Sequence, residues 1–510
     1  MSYQPTEPPN VPQQPYPGGF PPPQQQPQGP PPNGYAPPQG PFQAQLQGPP
    51  PGGFAPPPFM PPASPRPPQR KTGKTVGLVV LGVCVVLALG IGALFLIGPK
   101  KTPVKGLEGT NPVYASLTEA LKNKDENAYL ASFQGDELKA QQRKVFRNLV
   151  KIPFTVARYE KTSWAAGAAD TVQGVSFVHQ IKNVDVAPVY EEYRFTFGSN
   201  AAGHRVITDV QGSPHPFPET SSTFYPAPWD VYDDMTVWKG GRVVVISDKS
   251  HAADTQRFAP YISQAADDDV TAWGRSGADK SALSAGALVV LEPKREVYSQ
   301  FYRKGAKNDS LEAGVNLSLS KFGAKYDDTL QFGGSRIVMD SSLSRFTEPD
   351  WKSGVREIGR HEIAHAMVAP YNSARGDLPI EVDSWISEGF AGYMESRDNP
   401  AAAKADTERT LKGSKLVFGE TPESDAKAFY AKDANERHRN YVLARLAIRY
   451  MAEKYGEKTT FEFVTSMYRK PNYHTERGYY AQHMNTDRRT LMEDWRAFVR
   501  KTVPGVGGEG

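Results

Sequence analysis

Residues 361–365 have the sequence His-Glu-Ile-Ala-His and decide the fold of the carboxy-terminal part of the chain. On an α-helix, residues four apart lie on one face, so His361 and His365 can present two imidazole nitrogens to a single metal ion. Glu362 lies beside the same site. The spacing therefore predicts a metal site on a helix, of the kind that zinc hydrolases use.

The residues around this pair predict a buried helix. Apolar side chains cover most of a helical stretch from about Trp351 to Val368, which Pro370 ends. A buried pair of histidines needs partners, because an unsatisfied polar group inside a protein costs on the order of 1–3 kcal/mol. Hydrogen-bonded core histidines are the alternative to a metal site, and the metal site is favoured.

A catalytic zinc site has three protein ligands and leaves the fourth position to water. Residues 385–391, Trp-Ile-Ser-Glu-Gly-Phe-Ala, offer Glu388 as the third ligand, provided that their helix packs against the first one. Zinc lowers the pKa of its bound water to about 7, so that Glu362 can accept a proton at neutral pH and pass it to a leaving amine. The residues predict a Zn²⁺-dependent hydrolase.

Together the two motifs resemble those of the gluzincin zinc peptidases, and most closely the peptidase MA-like domains. In that group one helix supplies two His ligands and a Glu base, and a second helix with a Trp-x-x-Glu-Gly-x-Ala pattern supplies a carboxylate ligand. The resemblance implies that His361, His365 and Glu388 bind zinc and that Glu362 is the general base. It also implies a zincin-like, thermolysin-type α+β fold for residues 224–500 and a peptide or protein as the substrate.

The resemblance further implies an oxyanion donor. Residues 441–456 are similar to the segment in which gluzincin aminopeptidases carry a Tyr that stabilises the tetrahedral intermediate, which would give Tyr441 that role. The alternative for Tyr441 is a core aromatic on an amphipathic helix. Tyr479 and Tyr480 are the next candidate donors.

Three features depart from the family pattern. The 22 residues between His365 and Glu388 make a longer gap than in the aminopeptidase branch. The Gly-x-Met-Glu-Asn motif with which that branch binds a substrate amino terminus is not found in the chain, so an endopeptidase is favoured over an exopeptidase. Gly392 replaces the Asp that follows the ligand Glu by four residues in thermolysin-like proteins, so the sequence names no partner for the histidine ligands.

The amino-terminal residues 1–74 consist largely of Pro, Gln and Gly. They hold too few aliphatic side chains to bury a core, which predicts a disordered tail. The Pro-x-x-Pro spacings of the tail fit the aromatic groove of a protein partner, although a solvated spacer is favoured.

Residues 76–97 then run for 22 residues without a charge. As a helix at ~1.5 Å per residue they span ~33 Å, enough to cross a hydrocarbon core of ~30 Å. A secretory signal peptide is the competing interpretation, but the stretch is too long for one and lacks a small-x-small cleavage pattern. Residues 75–98 are therefore predicted to form a single transmembrane helix in the lipid bilayer, followed by a linker at 99–110.

The charge on either side of the predicted span bears on orientation. Four basic residues precede the span and three follow it, a margin of one for the positive-inside rule. The resemblance to bacterial envelope proteins with a Pro-rich cytoplasmic tail and an exported domain favours a cytoplasmic amino terminus and an extracytoplasmic peptidase domain in the cell membrane. The only cysteine, Cys84, lies in the span, so the soluble part can form no disulfide.

Net charge excludes one class of partner. The chain carries +4, of which residues 1–74 supply four basic side chains and Glu7, or +3, and the remainder is near +1. This leaves no electrostatic footprint for nucleic acid. The acidic runs at 191–192 and 267–269 are expected to be solvated or to lie in turns.

Residues 111–212 have a pattern of their own. Helical periodicity gives way after Pro153 to a period of two, as in residues 193–197. This order predicts a small α+β module, vaguely similar to cone-shaped NTF2-like folds. The module is expected to be a spacer and packing partner for the peptidase, with ligand binding as the alternative.

Residues 224–500 begin with alternating strand and helix patterns before the metal helix. Strands are predicted at 243–246, 287–291 and 336–339, and a helix at 251–265. After Trp385 the chain is predicted to be mostly helical to about Val499, and residues 501–510 to be a flexible tail. This order fits the zincin plan, in which a sheet edge borders the substrate cleft.

The combined prediction is a membrane-anchored zinc metallopeptidase. A catalytically silent scaffold or binding protein of the envelope is the first alternative, and metal-dependent hydrolysis of a non-peptide envelope polymer is the second. The complete set of His361, Glu362, His365 and Glu388 argues against the silent alternative, because decay usually removes at least one such residue.

Overall fold

The computed structural model describes residues 110–506, apart from gaps at 162–166, 169, 213–225, 302–312, 325–330, 373–381, most of 415–432 and 470–472. The predicted Pro-rich tail, transmembrane helix and linker lie outside the described residues, as does most of the long loop before Glu388. No helix within the described part of the chain is long and apolar enough to cross a membrane.

Three helices and an antiparallel sheet form the amino-terminal module. The elements are α1 (Asn111–Asn123), α2 (Glu126–Ala131), α3 (Asp136–Leu149), β1 (Phe154–Lys161), β2 (Gly167–Ala168), β3 (Thr171–Ile181), β4 (Val189–Ser199) and β5 (Arg205–Gly212). The strands are ordered β1-β3-β4-β5, with β2 beside β3. The three helices precede the strands along the chain, which is the order that the sequence predicts.

A second sheet and its covering helices follow. The elements up to the metal helix are α4 (Pro228–Val231), β6 (Met235–Lys239), β7 (Val243–Asp248), α5 (Ala252–Ser276), β8 (Ala287–Glu292), α6 (Arg295–Gln300), β9 (Gly314–Ser320), β10 (Phe332–Asp340), α7 (Ser344–Thr347) and α8 (Trp351–Val368). The remainder is helical: α9 (Ser384–Ser396), α10 (Pro400–Leu411), α11 (Ala434–Tyr455), α12 (Glu457–Tyr468), α13 (Tyr473–Met484) and α14 (Arg488–Thr502).

The second sheet has the strand order β6-β7-β8-β10-β9. Strands β7, β8 and β10 are parallel, whereas β6 and β9 pair antiparallel at the two edges. The central strand β8 is a continuous run of six residues that are all buried, as expected for a strand covered on both faces. Strand β9 thus forms one edge of the sheet, beside β10.

Each face of the second sheet has its own hydrophobic core. Ile337 and Met339 of β10 pack with α5, α8 and the later helices. Val338, between them in sequence, points to the other face and packs with the side chains of the amino-terminal module. The module is thus a packing partner of the second sheet, and the two share one core.

Residues 182–188, here called the strap, connect β3 to β4 and run across the ends of β8 and β10. The amide of Val186 donates to the Gly333 carbonyl at 2.7 Å, and the amide of Phe322 donates to the Pro188 carbonyl at 2.8 Å. A Cβ on Gly333 would lie 2.8 Å from the Ala187 carbonyl oxygen, so only glycine permits this approach. The strap fastens the module to the sheet through the backbone.

A buried ion network also joins the module to the sheet. Glu191 on β4 contacts His179 at 2.7 Å and forms an ion pair with Arg336 of β10. All three side chains are at most 1% exposed. The expectation that residues 191–192 are solvated is therefore wrong. The expectation fails because the positive charge that pairs with Glu191 is Arg336, which lies on a strand far along the chain.

Candidate metal centre

The two histidines of the sequence motif and Glu388 converge on one point. Their ligand atoms all lie within 4.8 Å of one another. The Glu388 carboxylate is 3.3 Å from His361 Nε2 and 3.5 Å from His365 Nε2. The three side chains are 14–20% exposed, so solvent can reach them without surrounding them. The predicted metal triad is brought together.

Two helices create this convergence. Helix α8 has the bounds that the sequence predicts, and one face of it presents His361 and His365. Helix α9 lies against α8 and against α11, and α11 approaches closely at Gly389 of α9. A Cβ on Gly389 would lie 2.6 Å from the Ala444 carbonyl oxygen. The glycine in the Glu-Gly motif thus lets α9 sit between the other two helices and aim Glu388 at the histidines.

Glu395 is a site residue that the sequence analysis missed. It lies two helical turns after Glu388, on the same face of α9. Its carboxylate is 3.1 Å from His361 Nδ1, and Arg345 donates to its other oxygen at 3.0 Å. Such a partner fixes the ring orientation and tautomer of a metal-ligating histidine. Glu395 thus supplies the carboxylate partner of a histidine ligand, which Gly392 cannot supply.

The electrostatics of these groups suit a cation. Burial would lower the pKa of His361, but its hydrogen bonds to Glu388 and Glu395 outweigh burial and raise the pKa to about 10. Burial would raise the pKa of Glu395, yet Arg345 and His361 lower it to about 2. These shifts show that the carboxylates favour a positive charge between them. Zinc binding there requires neutral His361, because only neutral imidazole is a ligand.

A second network, made of arginine–aspartate ion pairs, joins α8 to neighbouring elements. Arg360, the neighbour of His361, donates to Asp269 of α5 and to Asp398, each at 2.8 Å. Asp268 accepts from Arg356 of α8, and Asp269 is fully buried. The expectation that the run 267–269 is solvated is therefore wrong for Asp269. Helix α5 continues through this run to Ser276, beyond the predicted end near residue 265, and three arginines form ion pairs with the run.

Glu362 is almost enclosed. Its side chain faces β9, and only 5% of the residue is exposed. Burial raises its pKa, while the nearby histidines act in the opposite direction. A carboxylate with a raised pKa is better matched to accepting and returning a proton near neutral pH than an ordinary one is. The position beside the triad and the burial both fit the predicted base.

Tyr441 lies next to the metal triad. Its ring centroid is 6.1 Å from that of His361 and 5.0 Å from that of Phe429. Tyr441 is only partly buried and borders the core. The structure thus brings Tyr441 to the site, at the junction between the core and the ligands.

The other tyrosine candidates differ in their surroundings. The ring of Tyr479 is tilted against that of His483, with centroids 6.3 Å apart, and Tyr480 is fully buried against Phe463. Tyr468, which the sequence analysis did not single out, is buried and near enough to Glu388 to sense its charge. Burial raises the pKa of Tyr468, and the charge of Glu388 raises it further. Tyr468 is therefore added to the donor candidates, beside Tyr441.

The donor set fits zinc. Two imidazole nitrogens and one carboxylate oxygen on facing helices match a three-ligand catalytic zinc site. The hydrogen bond from His361 Nδ1 to Glu395 supplies the outer support that such sites use. The three side chains would hold the metal, and partial exposure leaves access for water.

Glu395→Ala is expected to weaken zinc binding by roughly 10–100-fold, because His361 loses the partner that orients its ring. The measurement is zinc affinity by competition with a chelator of known affinity. Glu408→Ala on α10, at an exposed surface pair, is the matched control and should leave the affinity unchanged. Equal affinities in the two variants would show that Glu395 does not support the ligand.

Tyr441→Phe is expected to lower kcat by about 10²–10³-fold with little change in KM, if its hydroxyl donates to the oxyanion only as charge develops. Zinc content should be unchanged, because Phe fills nearly the same volume. Tyr455→Phe, a partly buried tyrosine at the other end of α11, serves as the control. Full activity of Tyr441→Phe would make Tyr441 a core residue and move the test to Tyr468.

Comparison with known proteins gives distant likenesses only. No protein-family model matches the chain, and no curated protein matches it. A two-domain M1 zinc metallopeptidase mutant with bound L-tryptophan shares 14% identity over 51% of each chain, with a TM-score of 0.28. An M1 zinc metallopeptidase from Deinococcus radiodurans shares 14% identity over 54% of this chain and 53% of its own, also at 0.28.

A mutant of the Deinococcus radiodurans enzyme covers more of its own length. It shares 12% identity over 66% of this chain and 91% of its own, with a TM-score of 0.31. The chain spans about half the length of the first two structures. Identities and TM-scores this low do not support inferring a function from these structures. The functional conclusion therefore rests on the geometry of the site.

Proposed function

We propose that this protein is a zinc-dependent peptidase of the gluzincin type that hydrolyses internal peptide bonds. The observation that carries the proposal is the convergence of His361, His365 and Glu388 within 4.8 Å, with Glu362 beside them. In this proposal the three converging side chains hold the metal. A bound zinc would supply a water of lowered pKa and an electrophile for the substrate carbonyl.

The side chains of the chain itself would then divide the remaining work. Glu362 accepts the proton of the attacking water and returns it to the leaving amine. Tyr441 donates a hydrogen bond to the oxyanion that forms on the substrate carbonyl. Glu395 and Arg345 keep the His361 ring in place. The edge strand β9 borders the substrate and fits an extended peptide.

The test is metal content and peptide cleavage of the full-length protein purified in detergent. About one zinc per chain and cleavage of a broad peptide library, lost with a strong chelator and regained with zinc, would support the proposal. Zinc without any peptide cleavage would favour the silent scaffold, and cleavage of envelope polysaccharide without peptide cleavage would favour the polymer hydrolase. A protein free of zinc after preparation without chelator would contradict the metal site itself.

We further propose that residues 75–98 anchor the protein in the cell membrane with the peptidase domain outside. The support is the uncharged stretch of 22 residues and the charge margin of one. Protease added to intact cells is expected to remove the chain after Lys105 and to spare the Pro-rich tail. The reverse pattern would place the metal site in the cytosol, and a mature chain that starts near residue 100 would mean a cleaved signal peptide.

A further inference from the structure

Gly314 makes an unusually close approach to Glu362. It is the first residue of the edge strand β9 and pairs with Met339 of β10. A Cβ at this position would lie 2.6 Å from Glu362 Oε1 and 2.8 Å from both Cδ and Cγ. Carbon atoms normally stay about 3.5 Å or more from non-bonded neighbours. The glycine therefore leaves a space that the Glu362 side chain fills.

The backbone at Gly314 does not itself require glycine. The φ angle of Gly314 is not positive, so its backbone is outside the left-handed region that favours glycine. It belongs to a β-strand, where any residue can take its conformation. What glycine provides at this position is room for Glu362.

Of the two contacting groups, Glu362 is the one able to move. The β9 backbone is paired with β10 from Gly314 onwards, and the amide of Asp340 donates to the Ala313 carbonyl at 2.9 Å. These bonds hold the strand on both sides of the contact. The carboxyl end of Glu362 turns instead about its side-chain torsions. A methyl group at residue 314 would therefore displace the carboxylate and leave the sheet intact.

We propose that Gly314 is a positioning residue: its missing side chain lets the Glu362 carboxylate occupy the place from which it acts on the water. The inference rests on the proposed role of Glu362 as general base. It assigns to the edge strand a second task besides bordering the substrate. The strand sets the position of the base.

Gly314→Ala is the direct test. We expect kcat to fall by about 10–10²-fold, the scale of a small misplacement of a catalytic group. KM should stay within about twofold, and zinc content and thermal stability should match the unsubstituted protein. Gly241→Ala is the matched control, since Gly241 lies in the β6–β7 hairpin with no atom within 4 Å of its would-be Cβ. The substrate is the best-cleaved peptide from the library.

Double variants show whether the effect passes through Glu362. In a Glu362→Gln background, Gly314→Ala should cause no further loss, because the base is already gone. In a Glu362→Asp background, the shorter acid leaves space for the methyl group, and Gly314→Ala should lower kcat by less than about threefold. An undiminished loss in either background would overturn the inference.

The remaining outcomes separate this inference from the proposed function. If Gly314→Ala keeps full activity while Glu362→Gln is inactive, the positioning role is wrong and the peptidase proposal is unaffected. Loss of zinc or of thermal stability in Gly314→Ala would also sink it, because the strand would then have yielded. Full activity of Glu362→Gln would instead contradict the general base and so the proposed function.

Discussion

Glu362→Gln is expected to keep zinc and to lose peptide hydrolysis by about 10²–10⁴-fold, the range attributed to general acid–base catalysis. Glutamine keeps the shape of the side chain and fits against Gly314, but it cannot accept the proton of the attacking water. Because Glu362 lies beside the ligands and is not one of the converging three, the metal should remain. The loss should appear in kcat and kcat/KM alike.

The measurement for Glu362→Gln is steady-state kinetics with zinc analysis on the same sample. Glu119→Gln, at an exposed surface pair of the module, controls for the loss of one carboxylate. Retention of zinc with activity near that of the control would remove Glu362 from the mechanism. Joint loss of zinc and activity would make it a ligand instead of a base.

His365→Ala is expected to abolish both zinc binding and activity. It removes one of three ligands, a larger change than loss of the hydrogen-bonded support at Glu395, for which we expect about 10–100-fold. Only His361 and Glu388 would remain, and at 3.3 Å they can hydrogen-bond to each other in place of a metal. Zinc per chain should fall to background, and added zinc should not restore hydrolysis.

Elemental analysis after dialysis against a weak chelator is the measurement for His365→Ala. His204→Ala, an exposed histidine of the module, is the matched control and should retain one zinc per chain. An unchanged zinc content in His365→Ala would mean that the metal binds elsewhere. Circular dichroism on both variants shows whether the helices around the site persist.

The parts of the fold that depend on local periodicity could be predicted from the sequence. Helix α8 follows from its apolar surface and Pro370, and β8 from an uninterrupted apolar run. The meeting of Glu388 with the two histidines could be predicted because the motifs resemble a known pairing of helices. The periodicity of α9 also held a signal for Glu395, two turns after Glu388, that the sequence analysis did not use.

Contacts between distant segments could not be predicted in this way. Glu191 and Arg336 are 145 residues apart, and the local sequence around either residue does not indicate that the two form a pair. The same holds for Asp269 and Arg360, and for Gly314 and Glu362. In each case a residue that is ordinary in its local sequence acquires its role from the packing of two elements. An acidic run that lacks local countercharges was for that reason expected in solvent.

The core that the module shares with the second sheet has a consequence for the order in which the chain folds. The module is synthesised before β10, but its core includes Val338 of β10. Glu191 of the module also forms its ion pair with a β10 residue, Arg336. Until β10 leaves the ribosome, one side of the module is uncovered, and Glu191 has His179 beside it but not the charge of Arg336. We expect the nascent module to remain incompletely folded over this interval and to depend on chaperones that shield apolar surface.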